Sequence, residues 1–381
     1  MTELVLAAEP RERDRGRRPE AGTALCLSGG GYRAMLFHVG ALWRLNEAGY
    51  LPRLDRVSSV SGGSITAGVL GLAWPKLDFD DMGVSRRFQD ELVEPLRNMA
   101  GKTIDVPAIA LGLITPGVTI GEKVAAAYRK HLFDSATLQD LPDRPRFVLN
   151  ATNLQSGVLW RFAKPYMRDY RVGEVKAPQV DLGTAVAASS AFPPFLSPVV
   201  LKLDEAAYTP GSGELQRAPF TTRPFLTDGG VYDNLGLETI WERYETILIS
   251  DGGGHMKEQE KPKRLWPLHA FRVLGVIDSQ VRSLRKLSAI DGFRAGHQKG
   301  TYWGIWTNIA DYGLPATLPC PHDVTLRIAA TSTRLGKLDD AVQERLINWG
   351  YAVCDAALRR HVEPALPVGG AFPYPTTGVA A

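Results

Sequence analysis

Two strand-to-helix transitions near the start of the chain constrain its fold more than any other feature. The first runs from the apolar segment at residues 23–28 through the glycines 29–31 into a helical pattern that begins at Ala34. The second runs from residues 56–60 through Ser61 into another apolar helix. Successive strand–helix units predict a parallel sheet with helices on its faces, and ligands bind at the carboxyl ends of such strands. The sequence therefore predicts an α/β fold with both turns at the reactive edge.

Bulk composition fits a large folded protein and argues against nucleic-acid binding, a disulfide framework and a zinc site. The chain has 381 residues, of which 44% are hydrophobic, enough for a sizeable core. The formal net charge of +3 is too small for a nucleic-acid-binding protein, which usually carries a concentrated basic face. The cysteines, Cys26, Cys320 and Cys354, are odd in number and far apart, so neither a disulfide framework nor a zinc site is indicated. This usage favours a cytoplasmic protein.

The chain is expected to form one domain over residues 23–365, between two tails. The charged, proline-flanked run after residue 9 predicts a disordered tail over residues 1–22, solvated rather than bound to lipid, and it lacks the features of an export signal. Residues 366–381 predict a flexible C-terminal tail. The apolar stretch at residues 106–120 is broken by prolines and glycines and is shorter than the roughly 20 residues that span a bilayer. We expect a protein that can visit a membrane surface without crossing it.

Later segments predict further strands and helices of the same fold. Strands are expected at residues 224–227 and 246–250, and a long amphipathic helix at residues 272–287. A final helix is expected at residues 340–360, with Gly350 in its interior. Because an interior glycine costs about 1 kcal/mol relative to alanine, close packing of another element is expected there.

Ser61 has the sequence context of a nucleophile on a sharp turn. In Ser59-Val60-Ser61-Gly62-Gly63 the residues two before and two after Ser61 are small, as a tight strand-to-helix elbow requires. Ser59 fails this test because Val57 would occupy the crowded position, and Ser64 lies where the helix should already have begun. The alternative is that these residues only start a helix, since serine is a favoured N-cap.

The glycine run Gly29-Gly30-Gly31 is suited to binding a developing negative charge. Glycines leave backbone N–H groups accessible at a helix N-terminus, and fixed donors of this kind stabilise an oxyanion during acyl transfer. Arg33 could steady this loop, add positive potential or form a surface salt bridge. The run also matches a dinucleotide fingerprint, but that motif needs a carboxylate at the end of the second strand, which ends here in serines.

Two aspartates are candidates for activating the serine. Asp228 follows a predicted strand and precedes two glycines, so it is expected at the same sheet edge as Ser61. Asp251 follows another strand and precedes His255, so a triad of Ser61, Asp251 and His255 is also compatible with the chain order. Asp-Gly pairs are also common in ordinary turns. The residues alone leave this choice open.

Several motifs in order resemble the patatin-like phospholipase family. They are Ser28 to Arg33, the elbow at Ser61 and Asp228-Gly229-Gly230, with further blocks that look like the family's at residues 150–153, 187–195 and 231–234. The resemblance covers roughly residues 23–250. It implies a three-layer α/β/α fold with a mostly parallel central sheet, and a serine lipid acyl hydrolase that uses a Ser-Asp dyad.

The resemblance also assigns roles to individual residues. It implies Ser61 as nucleophile and Asp228 as its base. It further implies an oxyanion hole from the backbone of Gly29, Gly30 and Gly31, with Arg33 in support. Desolvation would raise the pKa of the aspartate and make it a stronger base. The scheme needs neither a metal nor a cofactor.

The expected partner is a lipid or acyl-ester substrate, with peripheral membrane contact possible and no nucleic acid. Its acyl chain would lie against the apolar segments at residues 106–120 or 192–195, which are at least as compatible with an ordinary core. A non-catalytic lipid-binding scaffold of the same fold remains an alternative. So does a general carboxylesterase that uses the triad. The sequence does not indicate the headgroup or the oligomeric state.

Overall fold

A mixed sheet lies at the centre of the computed structural model, which describes residues 19–106, 119–241 and 243–380. In this part of the chain the sheet has ten strands, in the order β10-β9-β1-β2-β3-β4-β5-β6, with β8 beside β3 and β7 beside β8. The strands are β1 (Glu20–Leu27), β2 (Leu54–Val60), β3 (Arg146–Asn153), β4 (Val158–Phe162), β5 (Tyr166–Asp169), β6 (Gly173–Lys176), β7 (Val199–Val200), β8 (Phe225–Asp228), β9 (Tyr244–Asp251) and β10 (Lys299–Gly304).

Helices flank this sheet. They are α1 (Gly31–Glu47), α2 (Gly62–Ala73), α3 (Glu94–Ala100), α4 (Ile120–Tyr128), α5 (Leu182–Ser189), α6 (Gly230–Asp233), α7 (Trp266–Arg294), α8 (His322–Ala329) and α9 (Asp340–His361). Single π-helical turns precede α3 and follow α4, at Gln89–Val93 and Arg129–Phe133. None of the helices in the described ranges is long and apolar enough to cross a membrane.

Alternating side chains on the central strands build two cores, one on each face of the sheet. In β1, Leu25 and Leu27 belong to the larger core, which also includes residues of α1, α2 and α9. Ala24 and Cys26 point to the other face, where a smaller core contains Ile240 and, from α7, Ala289. Because successive side chains of a strand point to opposite faces, one short apolar strand can contact both helical layers. The predicted α/β class with a helix-flanked central sheet is confirmed.

The sheet changes direction at β3, and this change is what positions the site. Strands β10, β9, β1, β2 and β3 are parallel, whereas β4 to β8 pair antiparallel with their neighbours. The long parallel ladders agree with the expected sheet. Asp228 does end a strand beside the end of β2, as expected, but β8 runs antiparallel to β3 and so reaches this position from the opposite direction.

Strands β2 and β8 lie end to end along one edge of β3. Asn150 of β3 pairs with Val60 at the end of β2, and the next residue, Ala151, pairs with Asp228 at the end of β8. Both residues of β3 also pair with β4, which occupies the opposite edge. The carboxyl ends of β2 and β8 therefore meet from opposite directions, because β3 extends beyond the last residue of β2.

The segment expected to be a flexible C-terminal tail is packed against α9 and α1. The side-chain amide of Asn348 donates to the carbonyls of Tyr374 and Gly378 at 2.8 and 2.7 Å. The ring of Tyr374 also contacts Trp43 and Arg97. Residues 366–380 thus belong to the folded domain, and the expectation of a tail is corrected there. Most of the expected N-terminal tail lies outside the described residues, but β1 already begins at Glu20.

Two interior glycines allow α1 and α9 to approach closely. A Cβ on Gly350 of α9 would lie 2.0 Å from the carbonyl oxygen of Phe37, and one on Gly40 of α1 would lie 1.9 Å from that of Ile347. The close packing expected at Gly350 is therefore confirmed. The helices touch backbone to backbone at these two points, which fixes α9 on the helix that begins at the glycine loop.

We expect Gly350→Ala to destabilise the protein by about 2 kcal/mol or more, measured by denaturant unfolding. Alanine would gain about 1 kcal/mol in helix propensity, but its methyl group would force two packed helices apart. The matched control is Gly275→Ala in α7, where the nearest atom lies 3.8 Å from the added Cβ. That substitution should stabilise slightly. Equal effects of the two variants would contradict this account of the α1–α9 contact.

Candidate active site

Ser61 occupies a strained turn between β2 and α2. Its φ of 52° and ψ of −119° lie in a region that residues with a side chain rarely adopt. Such a conformation costs on the order of 1–3 kcal/mol and persists only where the surroundings enforce it. Ser61 is also buried, with 7% of its surface exposed. The local sequence permits the turn because Gly62 and Gly63 pack directly against backbone of the neighbouring β1–α1 loop.

A network of serine hydroxyls holds the turn in place. The backbone N–H of Ser61 donates to Ser189 Oγ at 3.0 Å, and Ser189 Oγ donates to the carbonyl of Asn150 at 2.6 Å. Because the Ser189 hydroxyl donates its one proton to that carbonyl, Ser189 Oγ accepts a hydrogen bond from Ser64 Oγ, 2.8 Å away. Ser64 in turn lies 3.0 Å from Ser59 Oγ. Ser189 thereby uses its full hydrogen-bonding capacity to tie the elbow to β3.

Asp228 lies beside Ser61, because it pairs with the β3 residue next to the one that pairs with Val60, and its carboxylate is close enough to interact with the Ser61 hydroxyl. Its carboxylate also accepts from the backbone N–H of Gly230 at 2.7 Å, and its carbonyl oxygen accepts from Thr152 Oγ1 at 2.9 Å. Only 2% of its surface is exposed. The structure thus brings together the two predicted residues, which are distant in the sequence.

Burial raises the pKa of Asp228 to about 7, because the charged carboxylate loses its hydration. The hydrogen bonds from Gly230 and Ser61 lower the pKa, and the negative charge of Asp278 on α7 raises it. Tyr128 also lies close enough for a charge interaction, and its hydroxyl is 3.1 Å from Ser190 Oγ. A carboxyl with a pKa near neutrality can both accept and return a proton at physiological pH.

The glycine loop approaches the elbow with two of its three amides available. The N–H of Gly29 donates to the carbonyl of Asn234 at 3.1 Å, so it is already used. Among the described residues, no backbone acceptor is bonded to the N–H of Gly30 or Gly31. The Gly31 nitrogen lies 2.9 Å from the position a Cβ on Gly62 would take. The Gly29 amide is therefore not available for the expected oxyanion hole, and the role of the Gly30 and Gly31 amides stays a prediction.

The Arg33 side chain bonds to Gly252, whose carbonyl packs against Gly30 of the glycine loop. Its guanidinium is buried and donates to the carbonyls of Gly252, Ala329 and Thr331 at 2.8–3.3 Å. Burial lowers its pKa to about 10, which leaves it protonated at neutral pH. These buried contacts are not the expected surface salt bridge, and the support of the glycine loop by Arg33 stays a prediction. Arg33 connects α1 to the loops after β9 and α8.

His38 supports the same loop as a neutral side chain. Its ring nitrogens lie 2.9 Å from the carbonyl of Ser28 and 2.8 Å from Ser250 Oγ. Since a carbonyl only accepts, Nε2 carries the proton and Nδ1 accepts from Ser250. Burial lowers the pKa of His38 to about 4, so it stays uncharged at neutral pH. Both ring nitrogens are used in these hydrogen bonds, which excludes His38 as a base for Ser61.

The alternative triad is not assembled. The Asp251 carboxylate accepts from Tyr302 Oη and from the N–H of Gly253, both at 2.8 Å. The nearby charges of Arg282 and Lys286 help to hold its pKa below the usual value despite burial. His255 is exposed and packs its ring against Trp306. Asp251 thus stabilises the end of β9 and does not orient a histidine toward Ser61.

Of the apolar segments expected to bind an acyl chain, residues 192–195 lie within the described part of the chain. Residues 107–118 lie outside the described residues. Phe192 and Phe195 are 56% and 63% exposed, so they are not ordinary core residues. The N–H of Asp228 donates to the carbonyl of Ala191 at 3.0 Å, which places this segment beside the dyad. Among the described residues, no group of three or more His, Cys, Asp or Glu side chains is arranged to hold a metal ion.

Two supporting residues were not singled out by the sequence. Ser189 holds the elbow, and a weak signal for it exists, since it is a polar residue in an otherwise apolar short helix. Asn234 accepts the N–H of Gly29 and places its side-chain oxygen against both Gly29 and Gly230. Its signal is its place in the block at residues 231–234 that resembles the family, which assigned it no role. Both act through contacts between distant segments.

Comparison with known proteins identifies the family. The model of the patatin-like phospholipases matches residues 25–241. The chain belongs to this family. Membership supports lipid acyl hydrolysis in general. A comparison with curated protein sequences gives no significant match.

One solved structure shows the same fold at low sequence identity, and a second is reported beside it. Human GIVD cytosolic phospholipase A2 is 12% identical, with a TM-score of 0.50 over 90% of this chain and 61% of its own. VipD from Legionella pneumophila is 17% identical, with a TM-score of 0.36 over 90% of this chain and 67% of its own. This patatin-like chain therefore spans about three fifths of the length of the human enzyme.

We expect Asp228→Asn to stabilise the protein at pH 8 by about 4 kcal/mol, at 1.36 kcal/mol per unit of pKa shift. With the pKa raised from 3.8 to about 7, native Asp228 keeps a proton that the unfolded chain releases. Native stability therefore falls as the pH rises between these values. The gain in stability of Asp228→Asn over the wild-type protein should shrink as the pH falls toward 4. Thermal unfolding across this range measures it, and exposed Asp81→Asn should show no such trend.

Proposed function

We propose that the protein hydrolyses carboxylic esters of phospholipids or related acyl lipids through a dyad of Ser61 and Asp228. One observation carries the proposal: Ser61 and Asp228 lie side by side where β2 and β8 meet, close enough for the hydroxyl to interact with the carboxylate. A serine on a strained elbow with an adjacent base is the arrangement that nucleophilic catalysis requires. Family membership supports the lipid substrate class.

The reaction proceeds in two attacks. Ser61 Oγ attacks the ester carbonyl while Asp228 takes its proton. Collapse of the tetrahedral intermediate breaks the bond to the alcohol, which leaves with the proton returned by Asp228. Water then attacks the acyl-enzyme, again giving a proton to Asp228, and Ser61 recovers that proton as the carboxylic acid departs. Asp228 is therefore deprotonated again at the end of each half of the reaction.

The amides of Gly30 and Gly31 would stabilise the oxyanion in both attacks. Their N–H groups lie at the start of α1, a helix of 17 residues whose N-terminus carries partial positive charge. Donors fixed in advance cost no reorganisation when the negative charge develops. Arg33 and His38 would act as positioning residues, because they hold the loop and do not face the elbow.

A dyad is sufficient here because burial makes Asp228 an effective base. An ordinary aspartate has a pKa near 4 and accepts a proton weakly at neutral pH. With a pKa of about 7, Asp228 is matched to the working pH in the way a histidine would be. This supports the dyad over the esterase triad. The intact elbow, base and glycine loop likewise favour catalysis over a scaffold role.

We expect Ser61→Ala and Asp228→Asn each to reduce hydrolysis of p-nitrophenyl acyl esters by at least a thousandfold. The first removes the nucleophile and the second removes its base. His255→Ala is the matched control and should stay active, because His255 packs on Trp306. A fluorophosphonate should label wild-type protein on Ser61, with loss of fluoride as the oxygen–phosphorus bond forms. An inactive His255→Ala enzyme would support the triad, and vesicle binding without any labelling would support the scaffold.

The pH dependence of kcat/KM should rise with pH through a single ionisation near 7. Asp228 must be deprotonated to act, and burial raises its pKa to about 7. A histidine base would titrate in a similar range, so the profile is also measured for His255→Ala. The same acidic limb in both enzymes is the expected result. A limb near pH 4 would show that the base is not a buried carboxyl.

A further inference from the structure

The first part of α7 combines two properties that rarely occur together in water. Residues 266–277 read Trp-Pro-Leu-His-Ala-Phe-Arg-Val-Leu-Gly-Val-Ile, with Arg272 as the one side chain that is charged at every pH. At helical spacing, its large apolar side chains lie on every side of the axis. A helix that is apolar all round is normally buried in a core or in a membrane.

These apolar side chains are nevertheless exposed. Trp266 is 76% exposed and Leu274 is 62% exposed, and the others share this property: Leu268, Phe271, Val273, Val276 and Ile277. Gly275 meets only the end of Met256, at 3.8 Å from the position of an added Cβ. A contiguous exposed apolar surface of this kind marks an interaction site. We call residues 266–277 the apolar end of α7.

The second half of α7 is attached firmly to the domain. Arg282 donates to the carbonyl of Gly254, and Arg285 pairs with Asp233 and Glu238 at 3.7 and 3.2 Å. Ala289 is buried in the smaller core. The apolar end is therefore the projecting part of a helix whose other half is held in place.

A basic segment precedes the apolar end. Lys257, Lys261, Lys263 and Arg264 immediately precede α7 and are exposed, with Glu258 and Glu260 as the acidic residues between them. Arg272 adds one more positive charge within the helix. Cations beside an exposed apolar helix complement the headgroups of an anionic bilayer, and tryptophan prefers the boundary between headgroups and acyl chains.

The apolar end is also close to the dyad. Asp278, the residue after it, is near enough for its charge to act on Asp228. Asp233, the ion-pair partner of Arg285, ends α6, which begins two residues after Asp228. The helix therefore projects from the rim of the site. A surface that contacts a bilayer there would lie beside the place where Ser61 works.

We propose that the apolar end of α7 docks the protein on an anionic phospholipid bilayer. At 1.5 Å per residue its 12 residues span about 18 Å, less than the roughly 30 Å of a hydrocarbon core, so it lies in the interface and does not cross. A second copy of the chain would cover one face of the helix, whereas acyl chains and headgroups can surround it. The consequence for substrate supply rests on the proposed function, but docking itself does not.

The test uses the full chain carrying Ser61→Ala, so that turnover does not alter the lipid. Co-sedimentation with vesicles of phosphatidylcholine and phosphatidylglycerol should show binding. Phe271→Glu with Leu274→Glu should weaken it at least tenfold, because charges replace exposed apolar side chains. The matched control is Met82→Glu, which changes a 78% exposed apolar residue outside α7. It should bind like the parent protein.

A second arm tests the basic residues. Lys261→Glu with Lys263→Glu should weaken binding about tenfold or more on these vesicles, and raised salt should weaken the parent in the same direction. Pure phosphatidylcholine vesicles should bind the parent less tightly. Equal binding to both lipid compositions would overturn the electrostatic part of the proposal.

Failure of docking and failure of catalysis give different results. The α7 variants, made with Ser61 intact, should retain wild-type hydrolysis of a soluble ester but lose activity on vesicles. No vesicle binding by the parent, with soluble-ester activity present, would overturn docking alone. Loss of soluble-ester activity in wild type would overturn the proposed function instead. A stable dimer that Phe271→Glu with Leu274→Glu converts to monomer, without any vesicle binding, would assign the surface to a second copy.

Discussion

The proximity of Ser61 and Asp228 depends on the way β3 is shared by two strands. β2 and β8 reach the same edge of β3 from opposite directions, and their last residues pair with adjacent positions. A shorter β3 would leave β8 paired only with β7, and the end of β8 at Asp228 would lose its neighbour. The reversal of strand direction at β3 is thus what lets two carboxyl ends face each other, which a purely parallel sheet would not do.

Burial at this junction has opposite consequences for stability and for chemistry. It desolvates Asp228 and raises its pKa to about 7, which destabilises the native state at higher pH but supplies a base. It also encloses the strained backbone of Ser61, which the hydroxyl of Ser189 holds through its N–H. Functional sites commonly store strain that surrounding contacts maintain. The serine network supplies those contacts without introducing a charge beside the carboxyl.

The glycine loop shows how distant segments prepare one short turn. Arg33 and His38, both on α1, reach the loop after β9, the segment after α8 and the carbonyl of Ser28. Asn234 takes the amide of Gly29 and leaves those of Gly30 and Gly31. The amides that remain accessible are therefore selected by tertiary contacts. In this patatin-like fold, the C-terminal region contributes to the site by holding this loop.

The sequence by itself determined the features that depend on neighbouring residues. Steric limits around Ser61, the glycines before α1 and the alternation of apolar residues in β1 are local, so they could be read directly. Tertiary structure decided which way β8 runs, which loop amides are free and what Asp251 contacts. It also decided that residues 366–380 pack on α9 and that the apolar end of α7 stays exposed. These depend on which segments meet across the fold, because a hydrogen bond or a buried surface needs a partner that local sequence does not name.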